Sequence, residues 1–332
     1  MYRIVHSAES HQRIRRSLQL AALDKLLPDR EVEALCRDLG HDWRTRKLPP
    51  GPTVRSMVFR GLHPDHSIAG MLADLAGLLG PDVPAPTDAA WCQARSRLPE
   101  GVLTRLIYRR AVQCRRRFGR MHRWQDRWIF RIDGSTVSMP DEPSLVEAFG
   151  YANTRHGPSR FPVARITFIE LAGLNCVWDY RLDDYHCGEE SQFHDMWHVL
   201  PAGCICLLDR KFCSFYNLAK LRQRRIGVIT PLHQRRDPHR LIALGRPLGE
   251  DEWLVPLDLA PQLRRRYADP DLPERLWVRL IRVGFLTGRR PHTLWLVICI
   301  CKSDVGRRRW RRMIARHGCG MTMRRGGIAS AG

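Results

Sequence analysis

The sequence contains no long apolar run. The longest unbroken one, Leu294–Cys301, spans eight residues, far short of the ~20 that a bilayer crossing needs. No membrane span is expected. No basic stretch followed by an apolar one opens the chain either, because Met1–Leu20 is interrupted by Arg13, Arg15 and Arg16. On that pattern no signal peptide is expected, and the chain reads as cytoplasmic. Cysteine lacks framework spacing: the count is eleven, an odd number, scattered from Cys36 to Cys319. A disulfide scaffold is therefore excluded and reduced thiols are expected.

Acids are scarce. Against 34 Asp and Glu stand 55 Lys and Arg, a net charge of +21. Such an excess favours a polyanionic partner, since each neutralised phosphate releases condensed counterions, and nucleic acid is the first candidate. A basic soluble enzyme is the alternative on charge alone. The charge is also uneven. Residues 276–332 hold thirteen Lys or Arg and a single acid, Asp304, while Arg105–Arg131 holds ten arginines and only Asp126. Hydrophobic residues at 44% and charged residues at 27% sit near globular averages, which excludes wholesale disorder. A length of 332 residues suits about two domains.

The first part reads as helices: Leu18–Leu27, then a short helix capped by Asp29 with Val32, Leu35, Cys36 and Leu39 on one face. Lys47–Pro52 reads as a breaker cluster. Ser67 looks like the N-cap of a helix through Leu79, and Thr87 like the N-cap of another through Arg97. Leu98-Pro99-Glu100 opens a longer helix with Val102, Leu103, Leu106 and Ile107 inward and arginines outward. An all-α domain thus ends near residue 120.

From Trp128 the period becomes strand-like. Trp128–Ile132 ends at Asp133-Gly134-Ser135, and Ala164–Leu171 and Asn175–Leu182 flank a hairpin turn at Ala172-Gly173-Leu174. Gly188–Val199 reads as a helix. Cys204–Leu208 is a buried strand running up to Asp209, Phe215–Arg224 a helix and Ile226–Ile229 another buried strand. Together these predict an α/β fold with helical crossovers. Strand-like pieces at Glu252–Leu257, Trp277–Val283 and Thr293–Cys301 form a mostly β insertion that returns to the main sheet.

Asp133 and Asp209 each follow an apolar strand, and side chains at the carboxyl ends of adjacent strands converge where α/β sheets hold their sites. Carboxylates in that position suit Mg²⁺, which prefers hard oxygen ligands. The plainer reading makes Asp-Gly-Ser a turn and Asp209 a helix N-cap. Cys204/Cys206 and Cys299/Cys301 are C-x-C pairs in apolar strands, where cysteine packs as a small hydrophobe, so zinc is not expected. His194 and His198 are spaced i, i+4 without the Glu of the metalloprotease pattern. Trp253, Trp277 and Trp295 could stack on an unpaired base, with core packing the simpler role.

With these motifs in order, the sequence resembles the DDE transposases of the insertion-sequence-four group. Leu26-Leu27-Pro28, Arg46-Lys47-Leu48-Pro49-Pro50 and Ala94-Arg95-Ser96-Arg97-Leu98 are similar to their helical N-terminal domain. Ile132-Asp133-Gly134-Ser135 and Leu207-Leu208-Asp209-Arg210-Lys211-Phe212 look like their first and second catalytic strands. The resemblance implies a helical DNA-binding domain over residues 1–120. An RNase H-like catalytic domain, a mixed sheet with helical crossovers, would follow over 121–301, with a β-rich insertion at about 231–298 and a basic tail at 302–332.

It further implies that Asp133 and Asp209 are catalytic metal ligands for Mg²⁺, with Mn²⁺ as a substitute. The partner would be double-stranded DNA, at the element's ends and at the target, bound by a homodimer. Arg109, Arg110, Arg115, Arg116, Arg117, Arg210 and Lys211 would contact DNA. The implied activity is metal-dependent cleavage at transposon ends followed by strand transfer.

The family's third acid, a Glu within Tyr-x-x-Arg-x-x-x-Glu, is missing from this sequence. The last Tyr is Tyr267 and the last Glu is Glu274. A reading-frame shift near Ile298 accounts for this loss together with the basic tail; a genuine DNA-gripping tail is the alternative. Asp304 is a poor replacement ligand, and Glu250, Glu252 and Glu274 read as solvated surface charges. Two rival functions follow: a catalytically inactive DNA-binding relic or inhibitor of transposition, and an RNase H-like nuclease unrelated to transposition.

Overall fold

A computed structural model describes residues 20–44, 48–65, 67–79, 84–118, 123–287 and 290–299. The chain divides into two compact units, Met1–Arg109 and Arg110–Gly332.

The first unit is helical: α1 (Leu20–Leu26), α2 (Asp29–Asp38), α3 (Pro50–Leu62), α4 (Ile68–Leu79), α5 (Asp88–Arg97) and the start of α6 (Gly101–Phe118). One buried cluster gathers Leu23, Phe59, Met71, Leu72, Leu75 and Trp91; another gathers Leu27, Val32, Leu35, Cys36, Val54, Val102 and Leu106. The expected caps form, with Ser67 Oγ accepting from Gly70 N at 3.0 Å and Thr87 Oγ1 from Ala90 N at 3.2 Å.

Two local expectations fail. Pro28, not Asp29, is the N-cap of α2, and the Asp29 carboxylate goes instead to the buried Arg55 guanidinium at 2.5 Å. The supposed breaker cluster begins a helix. Pro50 and Pro52 both fall in the first turn of α3, where no backbone N–H is needed, so their rings cost nothing there. Burial of Val54, Ser56 and Phe59 then stabilises the helix.

The second unit is built on a mixed sheet of ten strands: β1 (Ile129–Ser138), β2 (Tyr151–Thr154), β3 (Gly157–Leu171), β4 (Cys176–Asp184), β5 (Ile205–Leu207), β6 (Gly227–Pro231), β7 (Arg246–Gly249), β8 (Glu252–Asp258), β9 (Arg275–Thr287) and β10 (Arg290–Cys299). The order is β2-β3-β1-β5-β6-β10-β9-β8-β7, with β4 also paired to β3. β1 and β3 are antiparallel, while β5 is parallel to β1, and β6 to β5. Between these strands run α7 (Pro143–Phe149), α8 (Glu189–Asp195) and α9 (Phe215–Gln223). α8 is shorter than the predicted Gly188–Val199 and is followed by a separate turn of 3₁₀ helix, Trp197–Val199. The result is the α/β mixed sheet with helical crossovers that the sequence predicts.

The insertion returns to the sheet through β10, which pairs antiparallel with β6 from Leu296↔Pro231 to Cys299↔Val228. It also carries α10 (Pro238–Ala243) and α11 (Pro261–Tyr267). β5 and β6 are buried throughout, as continuous apolar central strands require. The larger core lies on one face, where Phe130, Ile132, Ile169, Cys206 and Val228 meet Phe193, Phe212, Phe215 and Leu218. Ile129, Ile205, Leu207, Ile229 and Ile298 cover the other face. Among the described residues no helix is long and apolar enough to cross a membrane.

Candidate active site

β1 does not stop at Ile132. Its ladder with β3 continues through Asp133↔Phe168 to Ser138↔Val163, so Asp133-Gly134-Ser135 is strand rather than turn. The pairing partner supplies the hydrogen bonds that polar residues would otherwise seek in a loop. Asp209 follows β5 and caps a 3₁₀ turn, its Oδ1 accepting from Arg210 N at 2.6 Å. It is thus an N-cap and also a strand-end carboxylate.

Parallel pairing sets Arg131 opposite Leu207. Asp133, still in β1, and Asp209, in the turn after β5, each lie two residues beyond this last pair, at the same end of the β1–β5 ladder. Alternation along β1 assigns Asp133 to the side of Ile129 and Arg131. Asp133 is half-buried, its Oδ1 accepting from Gly134 N at 2.9 Å. Asp209 is exposed, and its carbonyl accepts from Thr230 Oγ1 at 3.1 Å, which ties the turn to β6. Two carboxylates can serve Mg²⁺, which fills its remaining positions with water and phosphate oxygens. Among the described residues, no group of three His, Cys, Asp or Glu side chains is placed to hold a metal ion.

The expected replacements for a third acid lie elsewhere. Glu250 is exposed, and Glu274 is an exposed partner of Arg264. Glu252 is not a solvated charge: it is buried at the start of β8, with Oε1 3.2 Å from Arg279 Nη1. Asp304, the basic tail and the point of the supposed frame shift near Ile298 onward lie outside the described residues, apart from Ile298 and Cys299 themselves.

The basic residues separate into distinct roles. Arg210 and Lys211 are exposed beside Asp209. Arg116 and Arg117 are exposed at the end of α6, whereas Arg115 lies over the rings of Trp128 and Trp178 at 5.7 and 5.0 Å. Arg110 donates to Gln113 Oε1 at 2.7 Å, and Arg109 is 3.9 Å from Asp38. His194 does not pair with His198. Its Nε2 meets Asn217 Oδ1 at 2.7 Å, and His198 Nδ1 meets the Asp195 carbonyl at 2.8 Å. Trp253 and Trp295 pack half-buried, 5.8 Å apart, and only Trp277 of the three tryptophans is exposed. Cys204, Cys206 and Cys299 are buried; Cys301 lies outside the described residues.

No family model matches the chain. Over 102 residues it is 30% identical to the transposase-like protein InsZ of Escherichia coli (strain K12), a match covering 30% of this chain and 34% of that protein. The chain therefore spans about a third of the length of the curated relative it matches. Among solved structures, the cryo-EM structure of a piggyBac transposase synaptic complex with hairpin DNA aligns with a TM-score of 0.44 and 11% identity. That alignment covers 93% of this chain and 68% of the other.

Several site residues escaped the sequence. Glu189, at the start of α8, is 3.0 Å from Arg165 Nη1 and 3.6 Å from Lys211 Nζ. A β-carbon on Gly134 would stand 2.6 Å from its carboxyl carbon. Glu190 accepts from Ser214 Oγ at 3.0 Å and Asn217 Nδ2 at 2.9 Å, bracing the turn beyond Asp209. His233, on the loop after β6, has a depressed pKa. Burial is the main cause, followed by the charges of Arg235, Arg236 and Arg210. These groups are far apart in the sequence and share no spacing motif; only the acidic start of a helix, Gly188-Glu189-Glu190, hinted at any of them.

Proposed function

We propose that this chain is a DDE-type DNA transposase of the insertion-sequence-four group, acting by metal-dependent cleavage and strand transfer on double-stranded DNA. The observation that supports the reading is that Asp133 and Asp209 each lie two residues beyond the last β1–β5 pair, Arg131 and Leu207, at the same end of the ladder. The homology to InsZ over 102 residues supports it.

In this reading Asp133 and Asp209 hold Mg²⁺, or Mn²⁺ in its place, with DNA phosphate oxygens completing the shell. The bound ion supplies charge neutralisation for phosphoryl transfer and makes water a better nucleophile. The water oxygen bonds to phosphorus as the bond to the 3′ oxygen breaks, leaving a 3′-hydroxyl; its oxygen then bonds to a target phosphorus as that phosphorus loses its own 3′ oxygen, which departs as a new 3′-hydroxyl and takes up the proton. Arg210 and Lys211 face solvent beside Asp209 and take the flanking phosphates, positioning the strand without reading its sequence.

A nicking assay on DNA carrying the element's ends tests this function. Cleavage that requires Mg²⁺ and end sequence, and that is lost in both Asp133→Ala and Asp209→Ala, is the expected result. Cleavage that survives both substitutions overturns the site. A second reading, an inactive end-binding relic, is favoured by one observation: among the described residues no third acid completes a metal-holding group. It predicts a specific gel shift with no nicking.

A further inference from the structure

Gly134 has a job that its sequence neighbours conceal. It adopts no left-handed conformation and makes no turn; it is a strand residue in register with Thr167 of β3. Strand alternation places it on the side of Phe130 and Ile132, opposite Asp133. The Glu189 side chain occupies the space there: a β-carbon on Gly134 would lie 2.6 Å from Cδ, 2.8 Å from Cγ and 3.0 Å from Oε1. Any other residue at 134 would have to displace a carboxylate.

That carboxylate is firmly held on one side and loosely on the other. Arg165, on β3 opposite Thr136, donates to Oε1 at 3.0 Å, and both side chains are more than four-fifths buried. Lys211 lies 3.6 Å away with a side chain 70% exposed. α8 itself is tied to the sheet, because Gln192 accepts from Thr167 Oγ1 at 2.6 Å and donates to the Arg165 carbonyl at 3.1 Å. Glu189 therefore touches the backbone that carries Asp133 and also the side chain two residues beyond Asp209.

We propose that Glu189 is a positioning residue for the Asp133–Asp209 pair, set against Gly134 from the reverse side of the sheet and clamped by Arg165, where it also orients Lys211 toward DNA. Its Oε1 serves both Arg165 and Lys211, so its part is to hold the ligand-bearing segments rather than the ion. It keeps the two aspartate-bearing segments at a set separation, as outer groups do for ligands at metal sites. This inference rests on the reading of Asp133 and Asp209 as carboxylates that hold a divalent cation.

The test is Mn²⁺ binding to the full chain, followed by calorimetry or electron paramagnetic resonance, with thermal unfolding measured alongside. Asp133→Ala probes the underlying reading; if it leaves Mn²⁺ binding unchanged, that reading fails and the positioning role falls with it. If Asp133→Ala abolishes binding, Glu189→Gln is expected to weaken it about tenfold. Binding equal to wild type in Glu189→Gln then overturns the proposal alone. Packing is separated from positioning by Gly134→Ala, which is expected to lower both the melting temperature and Mn²⁺ affinity. Adding Glu189→Ala relieves the clash but leaves Arg165 without its carboxylate, so the double variant should melt no lower than Glu189→Ala alone, while affinity stays low. Recovery of wild-type affinity by the double variant would assign Glu189 a purely structural role.

Discussion

Asp133 in β1 and Asp209 in the turn after β5 each lie two residues past the last parallel pair, Arg131↔Leu207. Both carboxylates are needed for the proposed chemistry. Asp133→Asn and Asp209→Asn should each reduce end-specific nicking at least about a hundredfold. Metal ions contribute several kcal/mol of charge stabilisation, and each ~1.4 kcal/mol is a factor of ten in rate. A gel shift in EDTA should be unchanged, since the proposed DNA contacts lie on basic side chains. Loss of DNA binding in EDTA would point to a structural role for the aspartates.

Lys211 and Arg210 should govern affinity rather than sequence choice. Replacing one phosphate-contacting lysine removes about 0.9 from the slope of log K against log salt. Lys211→Gln should therefore flatten a salt titration of DNA binding by about one unit, equally for specific and random DNA. An effect confined to one sequence would contradict a backbone contact.

In the helical unit the buried Arg55 is held by Asp29 at 2.5 Å, Asp24 at 3.0 Å and the Leu27 carbonyl at 3.1 Å. Losing a partner of a buried charged group costs roughly 1–3 kcal/mol. Asp29→Ala should lower the melting temperature more than Asp24→Ala, because Asp24 is the more exposed of the two acids and the more easily replaced by water. Equal effects would show that Arg55 has no preferred partner.

His233 makes stability depend on pH in one direction. Its folded pKa lies below the ordinary 6.5 because burial and neighbouring arginines disfavour the charged ring. Below about pH 6.5 the unfolded chain takes up the proton first, so stability falls as the medium is acidified. Melting temperatures measured from pH 7.5 down to 5.5 should decline less steeply in His233→Gln than in wild type. An unchanged slope would remove His233 from the account.

Thiol chemistry should sort by burial. Cys92 is exposed, whereas burial raises the Cys36 pKa to about 11 and pushes Cys206 well above its ordinary value. Alkylation at pH 8 followed by peptide mass spectrometry should label Cys92 long before Cys36 or Cys206. Early labelling of Cys206 would mean that the central strand opens readily.

Much of this architecture was legible beforehand. The apolar run Cys204–Leu208 could be read as a buried strand because nothing polar interrupts it, and the Ser67 and Thr87 caps because hydroxyl capping is a local interaction. Less legible was any element whose stability comes from a distant partner. The helix at Pro50–Leu62 hides behind its prolines, and the polar second half of β1 exists because β3 pairs with it. The short α7 and β2 have too little periodicity of their own to be noticed.

The sequence alone therefore determined the basic character of the chain, its helical beginning, its α/β centre and the two aspartates that close or follow apolar runs. Those properties arise from composition and from patterns spanning a few residues. Tertiary structure decided that Arg131 pairs with Leu207, which sets Asp133 and Asp209 beyond the same end of the β1–β5 ladder, that Gly134 yields its space to Glu189, and that Arg165 and Lys211 meet one carboxylate. Each of those relations joins residues tens of positions apart. Sheet register and side-chain packing create them, and no local spacing encodes either.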